Sequence, residues 1–295
     1  MQQNLQKPAL LKKLGRHKGI LDPLQAEQQF QLNRYLPSPE LAPFLEHHWI
    51  IHWDLRDHHP YVSEVIPYAN INIAFLREGS RITGITPGKY TYELRDTGTI
   101  VGTMFRPGAF YPFWRKPVAE LTDKITSVSS VFAEADEQFN QAVISLPNDG
   151  EMVTRVETLL QARQPHYDEQ ITLINKIIDS IAADQFCWSV RAIADRFGLS
   201  ERTLQDLFHT YVGVGLKWVI MRYRLQAAIE LANSPHAPNW TRIAADLGYS
   251  SQSHFTNDFK KIVGRSPTQY AKAIRRAREN FLSHGACDNN DSDVA

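Results

Sequence analysis

Hydrophobic positions change their period along this chain, and the change divides it. Up to about residue 145 they fall in short alternating runs, such as NINIAFL (70–76), YTYEL (90–94) and TIVGTMF (99–105), broken by proline, glycine and charged turns. A period of two with regular turn signals predicts a mostly antiparallel β region. Helical spacing begins near Asp149 in MVTRVETLLQA and resumes after Glu169 in QITLINKIIDSIAA, with residues 162–168 as a break.

The last hundred residues carry one pattern twice. Ile193-Ala194, Gly198, Ser200, Phe208 and Gly213 recur as Ile243-Ala244, Gly248, Ser250, Phe259 and Gly264, at an offset of 50 that becomes 51. In each copy an apolar-periodic helix runs into glycine, one hydrophobic residue and serine, and a second helix then starts. Gly198 and Gly248 suit the left-handed conformation that ends a helix, and Ser200 and Ser250 are the expected caps of the helices that follow. Gly264 and Pro267 mark the next stop and start. Two helix-turn-helix units are predicted.

The second helix of each unit has a groove-reading chemistry. Leu204 and Phe208, then Phe255 and Phe259, take the apolar positions. They leave Arg202, Gln205, Asp206 and His209 in one copy, and Gln252, Ser253, Thr256, Asn257 and Lys260 in the other, free for solvent or base edges. Amides, hydroxyls and guanidiniums are suitable readers of the major groove. Between the units, Leu216, Val219, Ile220, Tyr223, Ala227 and Leu231 are helically spaced. A helix from Leu216 to Ala232 would span about 25 Å, which suits recognition helices set about one DNA turn, roughly 34 Å, apart.

The segment 189–270 resembles the DNA-binding domain of the AraC/XylS family of bacterial transcription regulators. The resemblance rests on Gly248-Tyr249, Ser253-His254-Phe255, Phe259-Lys260, Gly264, Ser266-Pro267 and Tyr270; the first copy matches more loosely, with Gly213 and Gly215 before Leu216. It implies base-facing roles for Arg202, Gln205 and Asp206 in the first unit and for Gln252, Ser253, Thr256 and Asn257 in the second. The family often has arginine where Asp206 and Asn257 stand here. An aspartate accepts only from a donor such as cytosine N4, and asparagine prefers adenine, so the operator of a relative does not transfer.

Charge supports the same role despite a formal total of zero. Residues 217–278 hold eleven lysines and arginines against three acids. Lys260, Lys261 and Arg265 are the expected contacts to the DNA backbone within this basic face.

The first part of the chain resembles a compact cupin-like β domain found ahead of such DNA-binding domains. The likeness covers roughly residues 34–132 and rests on YLPSPELAPFLEHHWIIHWDL, VIPYANINIAFL and GTMFRPGAFYPF. It implies a sensing or subunit-pairing role. The aromatic residues Trp49, Trp53, Phe105, Phe110, Tyr111, Phe113 and Trp114 could line an apolar pocket, fill the core or meet another subunit; Arg106, Tyr111 and Arg115 receive no ligand assignment. The expected class is α+β: a β-rich cupin-like domain (20–148), a helical connector (149–168), an all-α domain with two helix-turn-helix motifs joined by a long helix (169–278) and an acidic disordered tail (279–295). The helical half is expected to have a core independent of the β-rich half.

His47, His48, His52, His58 and His59 are the only candidate metal cluster. His48 and His52 would share one strand face, but no ordered run of histidine and carboxylate accompanies them, and polar strand-edge and loop histidines are the preferred reading. No metal, cofactor or catalytic motif is expected, so the chain is read as not an enzyme. Cys187 and Cys287 give no argued disulfide and fit a reducing cytoplasm. No targeting peptide or membrane segment is read.

The function expected is sequence-specific regulation of transcription, with double-stranded DNA as partner. RNA polymerase, a small-molecule effector and a homodimer stay open as further partners. The alternatives are an architectural DNA-binding protein of low specificity and a cupin-type enzyme fused to a DNA-binding domain.

Overall fold

A computed structural model describes residues 19–183, 189–233 and 238–285, with side chains to 279. Cys187, Cys287 and residues 286–295 lie outside the described residues.

Helix α1 (Pro23–Gln29) starts with proline at its first position, and the Asp22 carboxylate accepts from the Gln25 N–H at 3.2 Å. Then come β1 (Gln31–Tyr35), β2 (Leu45–Leu55), β3 (Tyr61–Val65), β4 (Asn72–Leu76), β5 (Gly79–Thr83), β6 (Tyr90–Leu94) and β7 (Asp96–Phe105). Helix α2 (Tyr111–Trp114), β8 (Ile125–Thr126), α3 (Glu137–Ile144) and α4 (Asp149–Ala162) complete this half. Six strands form one antiparallel sheet in the order β1-β2-β7-β4-β5-β8, and β3 pairs with β6 in a separate ribbon. The alternating runs of the sequence are therefore strands β4, β6 and β7.

Alternation gives the large sheet two different faces. Ile50, Phe75, Val101 and Phe105 point to one, where α2, α3 and α4 cover them. Phe105, Phe110 and Phe113 pack there edge to face, with centroids 4.8 and 5.3 Å apart, which assigns them to the core. The opposite face, together with the β3–β6 ribbon, borders a partly open cavity of about 200 Å³; of the aromatic residues singled out in the sequence, Trp49 alone lines it. The Trp49 and Trp53 rings lie across Gly102 and Gly98 of β7, where an added Cβ would come within 2.0 and 2.3 Å of them.

His48 and His52 of β2 bind the sheet to α4 instead of lying at strand edges. His48 contacts Thr103 Oγ1 at 2.8 Å and Glu157 Oε1 at 3.1 Å, and His52 contacts Thr99 Oγ1 at 3.0 Å and Asp149 Oδ1 at 2.7 Å. The shared strand face was legible; the helical carboxylates more than 90 residues away were not.

The second half is helical: α5 (Glu169–Ala183), α6 (Val190–Phe197), α7 (Glu201–Tyr211), α8 (Leu216–Ala232), α9 (Trp240–Asp246), α10 (Gln252–Val263) and α11 (Pro267–Gly285). Helix α8 has the limits that its apolar spacing suggested. Helix α11 passes residue 278, so the segment 279–285, expected in the tail, is helical; no proline or glycine precedes Gly285 to stop it.

The two halves do not have independent cores. Leu21 and Ile66 of the β-rich half are buried with Leu225, Phe255, Phe259 and Tyr270, while Ile171 of α5 joins the core of the sheet. The Arg222 side chain, 1% exposed, crosses from α8 to donate to the carbonyls of Thr86 at 3.0 Å and Pro87 at 2.6 Å. Gln226 donates to Ile66 O at 2.5 Å, Tyr270 to Leu21 O at 2.7 Å, and Thr122 to Gly213 O at 2.7 Å. The expectation of independence failed because these partners lie in loops, whose alignment with α8 and α11 is set by tertiary packing.

Candidate nucleic-acid interface

Both helix-turn-helix turns are built alike. Gly198 and Gly248 take φ of +65° and +71°, and the next residue closes each helix by a backbone bond, Leu199 N–H to Ala194 O at 3.0 Å and Tyr249 N–H to Ala244 O at 2.9 Å. Such six-residue closures need a left-handed residue, which glycine adopts at least cost.

The starts of the second helices differ by one residue. Ser200 caps α7 by accepting from Thr203 N–H at 3.0 Å, but α10 is capped by Ser251, which accepts from His254 N–H at 3.1 Å. Ser250 is therefore corrected from cap to turn residue; its hydroxyl instead lies 3.4 Å from His254 Nδ1. The extra residue that changes the repeat offset from 50 to 51 enters here and moves the cap along by one. Gly264 ends α10 at φ +86°, and Pro267 opens α11 beneath a reciprocal cap in which Gln269 N–H donates to Ser266 Oγ and Ser266 N–H to Gln269 Oε1.

Leu204, Leu207 and Phe208 turn α7 inward, and Phe255, Phe259 and Val263 do so for α10. Arg202, Gln205 and Asp206 consequently lie exposed on one face, as do Gln252, Ser253 and Asn257 on the other; Thr256 is half-buried. Arg202 stands 3.9 Å from Asp206 one turn on, a distance at which exposed ions contribute little. Gln252 accepts from Thr241 Oγ1 at 2.7 Å, which orients its amide from the first helix of the unit.

The cationic residues separate into two groups. Lys260 and Lys261 are exposed on the last turn of α10. Arg265, expected to face DNA with them, is instead bound to Glu64 of β3 at 3.1 Å, and the same glutamate holds Lys89. Arg222, counted in the basic excess, is buried between the halves, where burial pushes its guanidinium down to about 10. Arg278 donates to Asn233 O at 2.8 Å, whereas Arg275 and Arg276 are exposed. Spacing alone did not reveal these partners; the signal available for Arg222 was its position among the apolar residues of α8.

Residues 33–127 match a family described as a domain of unknown function (DUF6597), and residues 193–273 match one described as a helix-turn-helix domain. YkgA, an HTH-type protein of Escherichia coli (strain K12), is 32% identical over 113 residues, which are 35% of this chain and 47% of that protein. The HTH-type transcriptional activator RhaS of Escherichia coli O157:H7 is 30% identical over 123 residues, 42% of each chain. The match thus spans less than half the length of these curated relatives. A transcriptional regulator structure from Chromobacterium violaceum, titled for AraC-type DNA-binding domain proteins, is 23% identical over 34% of this chain and 89% of its own, at a TM-score of 0.32. ToxT from Vibrio cholerae O395 is 14% identical over 84% of this chain and 98% of its own, at 0.36. Through its paired helix-turn-helix units, residues 193–273, the C-terminal part of the chain carries a helix-turn-helix domain and is similar over this region to the regulators RhaS and YkgA.

Proposed function

We propose that this protein is a sequence-specific DNA-binding transcription regulator. The carrying observation is the pair of similarly capped units whose recognition faces are exposed and joined by the single helix α8. In this reading Arg202, Gln205 and Asp206 read one half of the site, and Gln252, Ser253, Thr256 and Asn257 the other. Lys260 and Lys261 hold phosphate. Arg265 joins them only when Glu64 releases it.

The chain divides functionally near residues 149–168, with the β-rich half as a sensing or pairing domain and its cavity as the place for a small effector. Subunit pairing and contact with RNA polymerase are further proposals. No helix among the described residues is long and apolar enough to cross a membrane, and a cytoplasmic location follows from the proposed role.

Titration of the full-length protein against a duplex selected from a random pool, and against its scramble, tests the reading. A regulator should prefer the selected duplex by roughly 10³ or more. Equal affinities would favour an architectural role instead.

A further inference from the structure

The cavity of the β-rich half is walled mainly by apolar side chains, among them Phe30, Leu32, Ile51 and Ile100. At about 200 Å³ it lies below the roughly 300–1,000 Å³ typical of sites for drug-sized ligands and suits a small apolar body. Besides Arg81, Asn70 and Asn72, the wall turns polar at Arg34 and His47. Both also line a second cavity of about 390 Å³ between the halves, where Tyr223 and Gln226 of α8 form part of the wall.

These two polar residues are unpaired. His47 is 7% exposed, and its Nδ1 has no hydrogen-bond partner among the described residues. The Arg34 guanidinium has neither an ion pair nor a hydrogen bond among the described residues. Burial lowers the Arg34 pKa with no carboxylate to offset it. Burial, with the positive field of Arg34 behind it, pushes His47 down to about 4, so its ring is neutral near pH 7. A half-buried cation in an apolar wall, with no partner among the described residues, favours an anion that accepts from it.

A carboxylate fits the guanidinium fork through two parallel hydrogen bonds, with the neutral His47 ring beside it in the wall. Glu46, Asp179 and Glu230 stand in the wall of the second cavity and disfavour a second negative charge. We propose that the cavity binds a small apolar monocarboxylate, its head group on Arg34 beside His47 and its body in the apolar wall, next to Tyr223 and Gln226 of α8. Its regulatory consequence rests on the reading of the chain as a DNA-binding regulator; the binding itself does not.

Calorimetry on the full-length protein with octanoate, 3-phenylpropanoate, octan-1-ol, octylamine and octyl phosphate tests the site. At least one carboxylate should bind roughly tenfold or more tighter than the alcohol, the amine and the phosphate. Arg34→Gln should remove that preference while alcohol binding persists, and Arg34→Lys should restore part of it. Persistence of alcohol binding and an unchanged circular dichroism spectrum show that the glutamine variant is folded. The proposal is overturned if no carboxylate saturates, if alcohol or phosphate binds as tightly, or if Arg34→Gln keeps the preference. Operator affinity measured without any probe separates the two readings. Selective DNA binding without carboxylate preference removes only this site, and carboxylate preference without selective DNA binding removes only the regulator.

Discussion

The two helix-turn-helix units share a turn and differ in what surrounds it. Helix α7 exposes Arg202 beside Asp206 and carries two acids against one arginine, whereas α10 carries two lysines against one aspartate and ends in Lys260 and Lys261. The β-rich half holds both units, the first through the Thr122–Gly213 bond and the Tyr111–Tyr211 ring contact, the second through Leu21, Ile66 and the Glu64–Arg265 pair. The unit with the more basic second helix is also the one in which one cation, Arg265, is held by the other half.

Core truncation should break the comparison most strongly. Phe255→Ala and Phe208→Ala each remove a fully buried ring and should cost about 3–5 kcal/mol in chemical denaturation. Phe255→Ala should lose most of the operator affinity, while Phe208→Ala should chiefly erode readout in one half of the site.

Arg222→Met tests whether the halves act together. It leaves the carbonyls of Thr86 and Pro87 without their donor, at about 1–3 kcal/mol for each group that water does not reach. Hydrogen exchange should accelerate along α8, and unchanged protection there would show that the contact is not a coupling point.

Readout and positioning separate at the recognition helices. Asn257→Ala and Arg202→Ala should each lower discrimination at one position by about 1–3 kcal/mol, in opposite halves of the site. Lys260→Ala should weaken every duplex and reduce the salt slope by about one. Glu64→Gln, which frees Arg265, should move in the other direction and steepen that slope by about one phosphate contact. An unchanged slope in Glu64→Gln would remove Arg265 from the interface.

The smallest effect expected is on the sheet, in acid. Burial raises Asp149 and Glu157, but hydrogen bonds from Tyr35, Asn33 and His52 to the first, and from His48 and Ser38 to the second, outweigh it and leave both below the usual carboxylate range. A lowered carboxylate contributes stability that is present above its unfolded pKa, near 4, and is lost as pH falls through the folded value. Asp149→Asn should flatten that part of the stability curve, read by thermal melts below about pH 5.

What the sequence revealed was whatever short-range spacing controls. Gly198 and Gly248, the apolar faces of α7 and α10, and the limits of α8 all follow from neighbours within one or two turns. The Ser251 cap escaped because a single inserted residue moves a helix start without disturbing the apolar pattern. Arg222, Gln226 and Arg265 escaped because their partners, at residues 64–88, are more than a hundred positions away. Arg34 left a weaker trace, a charge at the inward position two residues after Leu32 on β1. That is a place where alternation calls for an apolar side chain.

The most direct test of two-unit reading is hydroxyl-radical footprinting of the full-length protein on a selected duplex. The account predicts two protected segments on one face of the DNA, centred about one helical turn, roughly 34 Å, apart. Arg202→Ala should weaken one segment and Asn257→Ala the other. A single protected segment, or equal loss from both in each variant, would contradict it.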